Sequence, residues 1–240
     1  LNHEAITPVF GVISRSSIAP IPVKLMEVCF PIGSSLEVNA LEILSNSAVR
    51  TRRYWLKLMV MERIGKYAPD FEIPGADGNV HHFATYLGQY KAAVVVFMCN
   101  HCPYVGLYLD RMKSLQAEFE PQGVTLIGIN ANDVTQFPED SFDNMKVFAR
   151  ERELNFPYLW DPTQDVADCF GAEKTPQAFL VDANSVLRYI GAIDDNPQNP
   201  AAVTQPYLHN AIASFLAGQP IATPYTEAVG CTVKWRSGRA

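Results

Sequence analysis

Apolar and polar positions fall into a regular pattern only from Ile64 onward. Residues 92–97 (Ala-Ala-Val-Val-Val-Phe) form an unbroken apolar run, and residues 124–129 (Val-Thr-Leu-Ile-Gly-Ile) are nearly continuous. Runs this short and this apolar predict strands buried on both faces. Between them, Val105, Leu109, Met112, Leu115 and Phe119 recur at helical spacing and predict a helix from about Pro103 to Phe119. Residues 140–153 are helical in character, with Phe142, Met145, Phe148 and Ala149 on one side. Tyr158-Leu159 reads as a brief strand and residues 165–170 as a short helix. Residues 177–182 and 186–190 form a hairpin about Ala183-Asn184, and residues 205–216 form a closing helix. Upstream, Ala68-Pro69-Asp70-Phe71 opens an extended segment, and the Asp77-Gly78-Asn79 turn leads into a second. This order of elements predicts an α/β domain, a central sheet with helices on both faces.

Residues 1–60 break the pattern. Short apolar patches such as Ala19-Pro20-Ile21-Pro22-Val23 are interrupted by Pro, Gly and Ser, and a basic knot, Arg50-Thr51-Arg52-Arg53, follows a possible helix over residues 36–48. We read this stretch as an extension outside the core, with a partner-docking or targeting arm as the alternative. Residues 61–220 then make the domain and residues 221–240 a C-terminal tail.

Composition narrows the class of function. Apolar residues make up 48% of the 240, enough to build a core, and the net charge of −6 speaks against a nucleic-acid partner. No run has the length of a membrane span, and the start of the chain lacks the pattern of a secretory signal, so a cytoplasmic protein is expected. Five cysteines (Cys29, Cys99, Cys102, Cys169 and Cys231) are too sparse for a disulfide scaffold.

Only Cys99 and Cys102 are close in sequence, and they stand at the turn from a buried strand into a helix. A helix start carries partial positive charge and unpaired N–H groups, which favour a thiolate. Pro103 suits the first helical position, so Cys102 sits where the attacking thiolate belongs, with Cys99 in reach as its disulfide partner. His101 is a candidate modulating charge, or simply an exposed loop histidine. Zinc would need about four ligands. The only nearby supplement is His81-His82, so no metal and no organic cofactor is expected. Two unrelated buried cysteines remain the bland alternative. Cys169, on the apolar side of a short helix, is expected as buried filler; Cys231 is a possible resolving thiol.

Thr175-Pro176 precedes the strand at residues 177–182, a natural place for proline. With that feature the chain resembles the thioredoxin superfamily, and more closely the alkyl hydroperoxide reductase/thiol-specific antioxidant (AhpC/TSA) redoxins. The resemblance rests on residues 68–71 (Ala-Pro-Asp-Phe), 97–105 (Phe-Met-Cys-Asn-His-Cys-Pro-Tyr-Val), 174–176 (Lys-Thr-Pro) and 230–235 (Gly-Cys-Thr-Val-Lys-Trp). The Cys-Asn-His-Cys-Pro-Tyr-Val segment and the tail are similar to a peroxiredoxin-like subgroup. The resemblance implies a thioredoxin-like fold with a mixed central sheet and a cis-proline, Pro176, facing the catalytic cysteine.

Two departures from these relatives bear on function. In the thioredoxin pattern an acidic-aromatic pair follows the first cysteine by sixteen and seventeen residues. Glu118-Phe119 holds that spacing from Cys102, so Val105 stands where thioredoxin has its second cysteine and Cys99 lies upstream. Peroxiredoxins carry proline and threonine seven and three residues before their peroxidatic cysteine. Here those places hold Val95 and Cys99 for Cys102, and Ala92 and Val96 for Cys99.

The expectation is a thiol–disulfide oxidoreductase acting on protein or small-molecule thiols and disulfides, recharged by an external thiol reductant. Cys102 attacks, Cys99 resolves, Pro176 shapes the groove, and the backbone at Thr175 offers an edge to an extended peptide. The alternatives are a thiol-dependent peroxidase reducing peroxides and a non-enzymatic redox sensor or scaffold.

Overall fold

The computed structural model describes residues 61–237. The expected N-terminal extension lies outside the described residues. Within them a small antiparallel pair, β1 (Glu72–Pro74) and β2 (Val80–His82), leads into α1 (Phe83–Gln89). There follow β3 (Ala92–Phe97), α2 (Pro103–Phe119), β4 (Val124–Asn130), α3 (Phe142–Glu151), β5 (Tyr158–Trp160) and α4 (Asp165–Phe170). The chain then runs through β6 (Lys174–Thr175), β7 (Gln177–Asp182), β8 (Leu187–Gly191), α5 (Tyr207–Leu216) and β9 (Cys231–Thr232).

The central sheet has the order β5-β4-β3-β7-β8. β3, β4 and β5 are parallel, while β7 is antiparallel to both β3 and β8. Every residue of β3, β4 and β7 is buried, as the apolar runs predict. Because side chains alternate along a strand, the two faces sort by parity. Val94, Val96, Leu126 and Leu180 join the cluster under α2 and α5, with Met112, Leu115, Leu208 and Ile212. Val95, Phe97, Ile127 and Phe179 join the cluster with Phe83 of α1, Phe170 of α4 and Val233 of the tail. A one-residue slip of β3 would exchange these sets wholesale. Burying Val94, Val95 and Val96 fully is worth about 1.5–3 kcal/mol each. That is more than a typical helix cap contributes, about 1 kcal/mol. Strand register, rather than capping, therefore fixes where the loop after β3 begins.

That register places the chemistry. Phe97 pairs with Gln177 across the antiparallel β3/β7 seam. The loop leaving β3 (residues 98–102) and the segment entering β7 (residues 174–176) consequently meet at one end of the sheet.

The helix at residues 103–119, the strands β3, β4, β5 and β7, and the short helix α4 match the pattern-based expectations closely. Three elements go beyond them. Helix α1 has one buried pair at helical spacing, Phe83 and Leu87, too little periodicity to stand out over seven residues. β6 and β9 are two residues each and pair only with one another, Lys174 with Thr232 and Thr175 with Cys231. Nothing local marks so short a strand; its partner lies more than fifty residues away. Among the described residues no helix is long and apolar enough to cross a membrane.

Candidate active site

Three thiols converge on Thr175. Cys102 is the N-cap of α2, with Pro103 in the first turn, and its thiol donates to the Thr175 carbonyl at 3.1 Å. The Cys99 sulfur and the Thr175 hydroxyl lie 3.7 Å apart, within hydrogen-bond reach. Cys231 lies opposite Thr175 in the β6/β9 pair, on the same side of the site as Cys102. Cys99 and Cys102 are 1% and 2% exposed, whereas Cys231 is half-buried. The Thr175–Pro176 peptide is cis, as the family resemblance implies.

The electrostatics divide these thiols sharply. Cys102 lies well below the ordinary thiol range, first because the Cys99 thiol donates to it. The Thr175 side chain, the backbone N–H of Val105 in the first helical turn and the Cys231 thiol add to the effect, and burial opposes it. The helix start contributes partial positive charge of the same sign. Against this, the Thr175 carbonyl accepts from the Cys102 thiol and so favours the protonated form. One acceptor faces several donors, and the thiolate wins. Cys99 is pushed far upward, chiefly by donating to Cys102, then by burial and by the Asp140 charge. Cys231 is raised by burial and by its own bond to Cys102, with Lys234 and Lys174 pulling the other way. These causes favour Cys102 as the anionic sulfur of the cluster, with Cys99 and Cys231 as the protonated ones.

The loop between the strand and the helix is held from below by Asp140, which is fully buried after a short 3-10 turn (Pro138–Asp140). Its carboxylate accepts the backbone N–H groups of Asn100 at 2.8 Å and His101 at 3.3 Å. It also accepts the Asn132 amide at 2.8 Å and bonds His101 Nδ1 at 2.6 Å. The His101 ring stacks on Phe137 at 4.9 Å, and the buried Tyr158 hydroxyl donates to Asn100 Oδ1 at 2.9 Å. His101 is therefore half-buried and tied to a buried carboxylate, not the exposed loop histidine of the alternative reading. Donor atoms of Cys99, His101 and Asp140 lie within 4.8 Å of one another. The Asp140 oxygens are already occupied by four bonds, so this trio is built as a loop anchor. His81 and His82 are engaged elsewhere, with Asp77 and Tyr86 and with Asp70.

Two sequence-based expectations need correction. The edge at Thr175 is not open to an extended peptide: the chain's own tail pairs there as β9. Cys169 is half-buried rather than core filler, and it is not one of the free thiols. Asp140, Asn132 and Gln164, which position the site, carried no signal in the sequence, because polar residues at a helix start or in a loop read as solvent-facing.

The fold and the thiol-bearing strand-to-helix turn define a thioredoxin-like redoxin. Residues 64–190 match the AhpC/TSA family, and the chain belongs to that family. It is 26% identical over 127 residues to the thiol-disulfide oxidoreductase ResA of Geobacillus thermodenitrificans, which covers 53% of this chain and 68% of ResA. It is 28% identical over 139 residues to the thiol:disulfide interchange protein DsbE of Escherichia coli, covering 56% of this chain and 68% of DsbE. Among solved structures, an uncharacterized conserved protein from Geobacillus kaustophilus superposes with a TM-score of 0.68 at 36% identity, covering 73% of this chain and 93% of the other.

Proposed function

We propose that the protein is a thiol–disulfide oxidoreductase in which Cys102 is the nucleophile. The observation that carries this reading is the placement of Cys102 at the start of α2 with Cys99, Thr175 and Cys231 gathered around it, an arrangement that lowers the Cys102 pKa and raises those of Cys99 and Cys231. Thiolate, not thiol, attacks a disulfide. The Cys102 sulfur forms a bond to one sulfur of a disulfide and the other leaves as thiolate. Once Cys102 is in a mixed disulfide its negative charge is gone, and so is the strongest cause holding the Cys99 proton. Cys99 then yields its proton to the first departing thiolate and attacks Cys102, breaking its bond to the second substrate half, which leaves as thiolate, and closing a Cys99–Cys102 disulfide. Two electrons have passed from the dithiol to the substrate, and an external thiol reductant restores the pair.

Relatives are named for both chemistries, ResA and DsbE for thiol–disulfide exchange and a Mycobacterium tuberculosis protein, 25% identical over 132 residues, as a peroxiredoxin. What favours exchange over peroxide reduction is the position three residues before Cys102, which carries a thiol, Cys99, in place of the threonine that peroxiredoxins place there.

The test is disulfide mapping. One equivalent of a small disulfide is added to the reduced protein, the mixture is quenched with acid, and the free thiols are blocked before proteolysis. The expected product joins Cys99 to Cys102. A product in which Cys102 remains free contradicts the assignment.

A further inference from the structure

Cys102 is only 2% exposed, beside a tail strand that is firmly held. Val233 is buried, and its N–H donates to Glu173 at 3.0 Å. The Lys234 N–H donates to Asn132 Oδ1 at 2.9 Å, and its carbonyl accepts from Asp133 N–H at 2.8 Å and from Gln164 Nε2 at 2.9 Å. The Arg236 N–H donates to Gln164 Oε1 at 2.9 Å. Gln164 is itself 1% exposed, so these bonds are made away from water, where leaving either partner unmade is costly. Lys234 Nζ sits 5.5 Å over the Phe137 ring, the same ring on which His101 stacks. At the other end Gly230 crosses Thr175 so closely that a Cβ there would lie 2.2 Å from the Thr175 carbonyl oxygen. A strand clamped on both sides of Cys231 is part of the site.

Of the three free thiols among the described residues, only Cys231 has appreciable contact with solvent. It is also presented to Cys102 as an extended substrate would be, by antiparallel pairing on the strand that ends at Thr175. We propose that Cys231 is a relay thiol on a resident substrate strand, meeting external disulfides at the surface and passing the resulting disulfide to Cys102.

The proposal rests on Cys102 being the nucleophile and specifies what it attacks. In the first step Cys231 releases its proton to solvent and attacks an external disulfide as thiolate, forming a mixed disulfide; the substrate thiolate that leaves takes up a proton in return. The Cys102 thiolate then attacks the Cys231 sulfur, releasing the second substrate half, which takes the Cys99 proton. Cys99 finally attacks Cys102, leaving Cys99–Cys102 oxidised and Cys231 as thiolate. One external disulfide becomes two thiols, and one internal dithiol becomes one disulfide. The paired edge stays closed throughout, so the external substrate needs a reachable disulfide but no extended strand of its own.

The experiment is a single-turnover reaction of the full chain with bis(2-hydroxyethyl) disulfide, acid-quenched at intervals and mapped by mass spectrometry. In the parent, a mercaptoethanol adduct on Cys231 is expected to precede the Cys99–Cys102 disulfide. In Cys231→Ser, formation of that disulfide should slow at least about tenfold, because the attacking thiol must be accessible. In Cys102→Ser, the adduct should form on Cys231 and persist. If Cys231→Ser forms the Cys99–Cys102 disulfide at the parent rate, the relay is overturned while Cys102 remains the nucleophile. If the parent ends with Cys102 unoxidised, the nucleophile assignment falls and the relay with it.

Discussion

Cys102→Ser is expected to abolish catalytic turnover of disulfides, a loss of at least about a thousandfold, because the attacking atom is removed. Serine preserves the N-cap geometry and the bond to the Thr175 carbonyl, so the helix start and the tail should remain in place. Its hydroxyl is not ionised at neutral pH, and the donors gathered around residue 102 cannot create an alkoxide. Cys99 cannot substitute as the first attacker, since it is buried in the loop before the helix, away from the first-turn N–H groups that favour a thiolate at residue 102. Cys231 can still take up one substrate half, but with no partner thiolate the reaction stops at that adduct. The check is steady-state reduction of a small disulfide by an external thiol reductant, with circular dichroism confirming the fold. Turnover within tenfold of the parent would remove Cys102 from the mechanism.

Asp140→Ala is expected to cost about 3–5 kcal/mol of stability, the range for stripping one partner from a buried charged network. Its carboxylate is fully buried and bonds four groups: two backbone N–H groups, the Asn132 amide and His101 Nδ1. Removal leaves these buried or half-buried donors without an acceptor, and each such loss costs about 1–3 kcal/mol. The loss is also local to the chemistry. Asn100 and His101 are the two residues between the cysteines, so the loop that fixes Cys99 against Cys102 should loosen. Urea unfolding monitored by tryptophan fluorescence measures the first effect. A destabilisation under about 1 kcal/mol would show that water replaces the carboxylate, and that the loop does not depend on it.

How much of this was legible beforehand depended on the range of the signal. The helix at residues 103–119 was set by five apolar residues at helical spacing, and all five are buried. β3 was set by six consecutive apolar residues and is buried throughout. Cys102 at the helix start followed from local chemistry, Pro103 beside it, and the structure places it as the N-cap. The resemblance implied a cis-proline, Pro176, facing the catalytic cysteine; the contacts of Cys99 and Cys102 with Thr175, the residue before it, emerged only from the structure. What stayed hidden was everything set by distant pairing. The closure of the Thr175 edge by Cys231, some fifty-six residues later, is a two-residue contact without periodicity. Asp140 looked like one more acid at a helix start. Its burial comes from the backbone N–H groups of residues 100 and 101, forty residues away, which no local pattern records.

The account stands or falls on Cys102 being a thiolate in the resting protein. The pH dependence of its alkylation by iodoacetamide, followed by peptide mapping, measures this directly. A free thiol with a pKa of about 8.5 loses reactivity about tenfold per pH unit below that value. Cys102, lowered well below the ordinary range, should keep a nearly constant rate from about pH 8.5 down to about pH 6, slow in absolute value because the sulfur is covered. The decline should begin only at more acidic pH, where its thiolate takes up a proton. A rate that falls tenfold per unit between about pH 8 and pH 6 would show an ordinary thiol at Cys102 and contradict the mechanism.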